Sequence, residues 1–202
     1  QLRPLRNRVV GIGRRRHREG RRGVVVAAAV RNRLPVYLQR AWWVLRQRQL
    51  RRWLLTHDTL DPASVRLVGG VDVSFIKGDD KHACACLTVV DLETFQVVYC
   101  VCRNVLLAAP YMPGYLAFRE TPPLVALIEE LRLEHPRMVP DCVLVDGNGL
   151  LHPNGFGHAC HLGVTAGIAT IGVGKTLHHV DGPDKQTVAQ LSRSLTSRFD
   201  HA

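Results

Sequence analysis

Asp72, Glu120 and Asp146 are the residues whose types and placement point most directly to chemistry. Asp72 interrupts an otherwise apolar run, LVGGVDVSFI at 67–76. An ionised carboxylate between buried neighbours is costly unless hydrogen bonds or a cation compensate it. Two readings follow: a strand-edge carboxylate held by backbone N–H groups, or a metal ligand. Asp146 ends a second apolar run, CVLV at 142–145, and Glu120 closes the Phe118-Arg119-Glu120 segment at the approach to a helix. Three hard oxygen donors with room for water suit Mg²⁺, with Mn²⁺ as a substitute. The chemistry such a site serves is in-line displacement at phosphorus, so the acids point to a metal-dependent nuclease.

Other reactive side chains give weaker signals. His152, His158 and His161 lie among glycines without a cysteine at ligand spacing, which argues against zinc, and His161 reads as a structural histidine. Lys175 in GVGKT at 172–176 resembles a phosphate-binding loop, but the motif needs glycine at 169, where alanine stands. Four of the six cysteines form two alternating pairs, Cys84 with Cys86 and Cys100 with Cys102. Period-two placement puts each pair on one sheet face. A four-thiolate zinc site is conceivable, but without knuckle turns the reading is reduced, packed thiols of an intracellular protein.

These side chains need elements to position them. Strand-like runs at 67–76, 83–90 and 95–107, joined by short polar turns, predict a three-stranded antiparallel meander. A helix at 121–134 follows, with Leu124, Leu127, Ile128 and Leu131 as its buried stripe and Pro122 and Pro123 in its first turn. Then come a strand ending at Asp146, a Gly- and His-rich loop, a small-residue helix near 158–166 and a strand at 170–173. The fold class expected is α/β and ribonuclease-H-like: three antiparallel strands, then parallel strands with helices packed on the sheet. If the first and fourth strands are neighbours, Asp72 and Asp146 face each other. Upstream, Leu38, Trp42, Leu45, Gln49 and Trp53 recur at helical spacing within 37–55, predicting an amphipathic helix laid on the core by that face.

Charge divides the chain. Of the 27 Lys and Arg, 16 lie in residues 1–53 with one acid, Glu19, giving that segment +15 and the remaining 149 residues −5. Residues 1–35 therefore read as a basic, disordered arm able to hold phosphates without sequence preference. The run VVVAAAV at 24–30 is far short of the roughly 20 residues that span a membrane. No membrane association is expected.

VGGVDVSF at 68–75, APYMPGYLAFRE at 109–120, VLVDGNGLLHPNGFGHACHLG at 143–163 and GVGKTL at 172–177 together resemble the endonuclease V family. The resemblance covers about 66–182, which makes 36–183 the expected catalytic domain. It implies hydrolysis, with Mg²⁺, of the second phosphodiester 3′ to inosine in single-stranded RNA or to deoxyinosine in DNA, leaving 5′-phosphate and 3′-hydroxyl ends. Asp72, Glu120 and Asp146 match the family's catalytic acids, and Lys175 matches a lysine that contacts phosphate or orients water. Pro110, Tyr111, Met112 and Pro113 match its wedge, where a stiffly held aromatic ring fills the gap left by an extruded base. Leu116, Gly147, Gly149, His152 and Gly157 match the pocket for the flipped base. A monomer in cytoplasm and nucleus, nucleolus included, and not secreted, is the setting implied.

From Asp184 onward the polar tail DKQTVAQLSRSLTSRFDHA shows none of the family's motifs, so 184–202 is read as a non-family segment of a shortened member. Two functions stay open, an active endonuclease and a catalytically weak binder of inosine-containing nucleic acid. The PYMP wedge disfavours a resolvase or transposase.

Overall fold

A computed structural model describes residues 35–174 and positions 186, 187, 189, 190 and 193. Lys175 and nearly all of both terminal segments lie outside the described residues. Helix α1 spans Val36–Arg51, strands β1, β2 and β3 span Leu67–Phe75, His82–Asp91 and Gln96–Leu106, and helix α2 spans Ala117–Glu134. Strand β4 (Cys142–Asp146), helix α3 (His158–Ala166) and strand β5 (Ala169–Val173) complete the order.

The five strands form one sheet in the order β3-β2-β1-β4-β5, antiparallel from β3 to β1 and parallel from β1 to β5. This is the expected meander joined to a parallel crossover pair. Asp141 fixes the junction at its entrance: one carboxylate oxygen accepts the amides of Arg66 and Leu67 at 2.9 Å each, and the Asp141 amide donates to the Leu67 carbonyl. With the start of β4 tied to the start of β1, Val71 falls beside Val145.

Strand alternation sorts the sheet into two faces. Val71, Val73, Ala83, Ala85, Leu87, Val89, Val143 and Val145 point into the core, where Leu124, Leu127, Ile128 and Leu131 of α2 and Leu162 of α3 meet them. The other face carries Asp72, Ser74, Cys84, Cys86, Thr88, Leu144 and Asp146, all exposed or half-buried.

Three expectations need correction. Helix α1 buries Gln39, Trp43, Gln47 and Leu50, whereas Leu38, Leu45 and Trp53 stay exposed. The Trp43 ring stacks on Phe118 at 5.0 Å, and buried Gln47 donates to the Phe156 carbonyl at 2.9 Å. The apolar count favoured the Trp42 face, but two polar residues satisfied by hydrogen bonds complete the true one. Helix α2 begins at Ala117, a turn early, so Pro122 and Pro123 lie inside it rather than in its first turn. Finally, Cys86 and Cys102 are not reduced thiols: they sit directly opposite on β2 and β3, 4.2 Å apart at Cα, and are joined as a disulfide.

Candidate active site

The register places two of the three acids together. Val71 and Val145 are the last paired residues of β1 and β4, so Asp72 and Asp146 are the next residues on strands about 4.8 Å apart. Both side chains are exposed. Glu120 comes from the first turn of α2, is buried, and approaches from the helix side.

His158 joins Glu120 to the strand ends. Its ring is buried at the start of α3, with Nδ1 3.1 Å from the Asp146 carbonyl and 3.4 Å from Glu120 Oε2. A carbonyl can only accept, so Nδ1 carries the hydrogen. Burial pushes the His158 pKa below its ordinary value, against the pull of that hydrogen bond and of the Asp146 and Asp72 carboxylates. A neutral ring beside Glu120 is a polar contact rather than an ion pair, and it lies between that carboxylate and the end of β4. His158 Nε2 has no hydrogen-bond partner among the described residues. Sequence reasoning missed this role, since His158 is 38 positions from Glu120 and follows no ligand spacing. His161, one turn on, is buried edge-to-face on Phe118 at 4.6 Å, and burial drives its pKa to about 3. The structural histidine expected is packed by ring contact rather than satisfied by hydrogen bonding, since its Nδ1 has no hydrogen-bond partner among the described residues.

The three acids fit a hard divalent ion in donor type. Their oxygens do not all lie within 4.8 Å of one another: among the described residues only the sulfurs of Cys84, Cys86 and Cys102 cluster that tightly. Carboxylates without a cation repel, and side-chain rotation at exposed Asp72 and Asp146 is what gathering them requires.

The segment Pro110–Pro113 lies on an exposed loop with the Tyr111 ring 68% exposed. Buried Arg119 anchors this loop, donating to the Ala109 carbonyl at 2.7 Å and to the Asp80 carbonyl, with its guanidinium 5.4 Å from the Phe75 ring centre. Gly114, at φ +79°, lets the chain turn back into α2, where the Tyr115 amide reaches the Met112 carbonyl. Leu116 is half-buried as the residue before α2.

The glycine loop is packed against its own backbone. A Cβ on Gly157 would sit 2.0 Å from the Asn148 carbonyl oxygen, and one on Gly172 would sit 2.6 Å from the Gly149 nitrogen. The Gly157 amide donates to the Gly149 carbonyl at 2.9 Å, and the Gly147 amide to the Val173 carbonyl. These groups are engaged within the fold, so the glycines first serve to lay the loop between α3 and β5. His152 is half-buried and its Nδ1 accepts from the Asn154 amide at 3.1 Å. Gln47 of α1 holds the far side of the loop through Asn154 and Phe156.

A sheet of order 3-2-1-4-5 with acids on its adjacent strands β1 and β4 and a third on the helix between them in sequence defines a ribonuclease-H-like domain. Comparison with known proteins narrows the class. The family model for endonuclease V matches residues 48–199. The chain belongs to the endonuclease V family. The match extends on both sides of the 66–182 read from the motifs, and its far end runs through the segment expected to be foreign to the family.

The chain is 48% identical to human endonuclease V over 165 residues, covering 78% of this chain and 58% of that protein. With mouse endonuclease V it shares 49% over 146 residues, 69% of this chain and 43% of the other. It thus spans about half the length of these relatives. Among solved structures, the catalytic domain of human endonuclease V superposes with a TM-score of 0.71 at 42% identity, covering 78% of this chain and 67% of that one. Endonuclease V of Ciona intestinalis, solved with a 24mer DNA containing an inosine followed by a ribo-adenosine, gives 0.70 at 32% identity over 80% and 69%.

Proposed function

We propose that this chain is a metal-dependent endonuclease that hydrolyses the second phosphodiester 3′ to inosine in single-stranded RNA, or to deoxyinosine in DNA. The observation that carries the reading is the placement of Asp72 and Asp146 just past the last paired residues of β1 and β4, with Glu120 and the Asp146 carbonyl both in contact with His158. Membership of the endonuclease V family and a relative solved on inosine-containing DNA support the substrate class.

Asp72, Glu120 and Asp146 would hold Mg²⁺ or Mn²⁺. Such an ion supplies an activated water and neutralises charge on the leaving oxygen. The neutral His158 ring keeps Glu120 oriented without adding a competing positive charge. Tyr111, projecting from a loop stiffened by Pro110 and Pro113 and anchored by Arg119, stacks in the gap left by the extruded base. The pocket around Leu116, Gly147, Gly149, His152 and Gly157 admits hypoxanthine and rejects adenine by one carbonyl-for-amine exchange. Lys175 is assigned to the phosphate beside the scissile bond. The ends left are a 5′-phosphate and a 3′-hydroxyl. We place the protein, as a monomer, in cytoplasm and nucleus.

The second reading is binding of inosine-containing nucleic acid without efficient cleavage. Matched oligonucleotides carrying inosine or adenosine separate the two. Preference for inosine with Mg²⁺-dependent cutting supports the enzyme, and preference without cutting supports the binder. Equal affinity for both oligonucleotides eliminates the binder, and an uncut inosine strand at high protein concentration eliminates the enzyme.

A further inference from the structure

The open sheet face carries a second group of metal-ligating side chains that the nuclease reading does not use. Cys84 and Cys86 alternate with buried Ala83, Ala85 and Leu87 on β2, and Cys102 lies opposite Cys86 on β3. The Cys84 and Cys86 sulfurs are 3.9 Å apart, and all three sulfurs lie within 4.8 Å of one another. Two thiolates on one tetrahedral zinc-class ion, each bonded at about 2.3 Å, stand roughly 3.8 Å apart. The Cys84–Cys86 spacing already matches that value. Cys102 is exposed, which leaves an approach for the ion and a place for water as a fourth ligand. Cys100 lies outside the cluster, its sulfur 3.5 Å from the Thr88 hydroxyl. The arrangement is therefore a three-sulfur one and not the four-thiolate site conceivable from the two cysteine pairs.

We propose that Cys84, Cys86 and Cys102 form a binding site for a soft, zinc-class metal ion, open only when the Cys86–Cys102 disulfide is reduced. A dithiol reductant breaks the S–S bond: two electrons and two protons pass to Cys86 and Cys102, and the dithiol becomes a disulfide. The ion then displaces the thiol protons to solvent and forms three metal–sulfur bonds. In the oxidised form two of the three ligands are consumed by each other and the site is closed. Thiolate sulfur selects this ion class, whereas the carboxylates of Asp72, Glu120 and Asp146 select hard ions. The two sites are adjacent, since Cys86 pairs with Asp72 across β1 and β2, yet they are chemically separable.

The test is Co²⁺ titration of the full chain, stripped of metal with chelator. Oxidised protein is compared with protein reduced by a dithiol and desalted without air. Reduced protein should take up one Co²⁺ with a near-ultraviolet thiolate-to-cobalt charge-transfer band that Zn²⁺ bleaches, and oxidised protein should give no band. Carboxylate-bound Co²⁺ gives no such band, so Asp72→Asn should leave it unchanged, as should Cys100→Ser. Changes outside the ligand set cost on the order of tenfold in affinity, so Cys84→Ser, which removes a ligand, should weaken binding by at least that much. Absence of the band in reduced protein whose far-ultraviolet dichroism matches the oxidised form would overturn the proposal. So would a band that survives Cys84→Ser at full affinity or is lost in Cys100→Ser.

Discussion

At the scale of single residues, the site is governed by how buried polar groups are matched. Asp72 and Asp146 were legible because strand alternation makes an acid in an apolar run conspicuous. The contact between His158 and Glu120 was not, because it depends on where α3 starts relative to the end of β4. His161 offers a direct test of burial. Its pKa falls to about 3 in the folded chain, while the unfolded chain keeps the ordinary 6.5. Between these values the unfolded state binds the extra proton, so the stability is present above pH 6.5 and is lost as pH falls toward 3. Thermal unfolding at successive pH values should show a slope of up to about 1.4 kcal/mol per unit in that window from this group. His161→Leu should flatten that slope. The glycines give a second contrast. Gly157→Ala drives a methyl onto the Asn148 carbonyl and should cost about 1–3 kcal/mol or more in a denaturant melt. Gly70→Ala meets nothing within 4 Å, so no overpacking penalty is expected.

At the scale of elements, the five strands and three α-helices of the described span were legible, and the differences lie in faces and ends. Helix α1 shows why. Adjacent Trp42 and Trp43 give two possible apolar stripes, and the choice rests on Gln39 and Gln47, whose burial depends on distant partners such as the Phe156 carbonyl. Trp43→Ala should therefore cost about 3–5 kcal/mol of stability by removing a buried ring stacked on Phe118. Trp53→Ala, at an exposed position, should change it by less than about 0.5 kcal/mol. Reversal of that ranking in denaturant melts would restore the face read from the sequence. The early start of α2 was hidden because Pro122 and Pro123 mimic a helix beginning, while buried Ala117, and Phe118 stacked on Trp43 of α1, continue the helix backward.

At the scale of the whole molecule, topology does what no segment can. The order β3-β2-β1-β4-β5 brings residue 72 beside residue 146 and sets α2 and α3 on one face, leaving the opposite face to Asp72, Asp146 and the cysteines of β2 and β3. The cysteine alternation was legible, but its closure into a disulfide was not, because the register between β2 and β3 decides which thiols meet. Charge acts at this scale as well. Residues 1–53 carry +15 against −5 for the rest. Deleting residues 1–35 should weaken binding to all single-stranded nucleic acids alike and flatten the salt dependence, as loss of phosphate contacts requires. A selective loss for inosine-containing strands would instead assign that segment to recognition.

The proposed hydrolytic metal site of Asp72, Glu120 and Asp146 is open to a cleavage assay. A 5′-labelled single-stranded RNA with one inosine is incubated with the purified chain and Mg²⁺, beside Asp72→Asn and a chelator control. One cut is expected at the second phosphodiester 3′ to inosine, reduced to background by Asp72→Asn and by chelation. An uncut substrate at high concentration of folded protein, or equal cutting by Asp72→Asn, would contradict it.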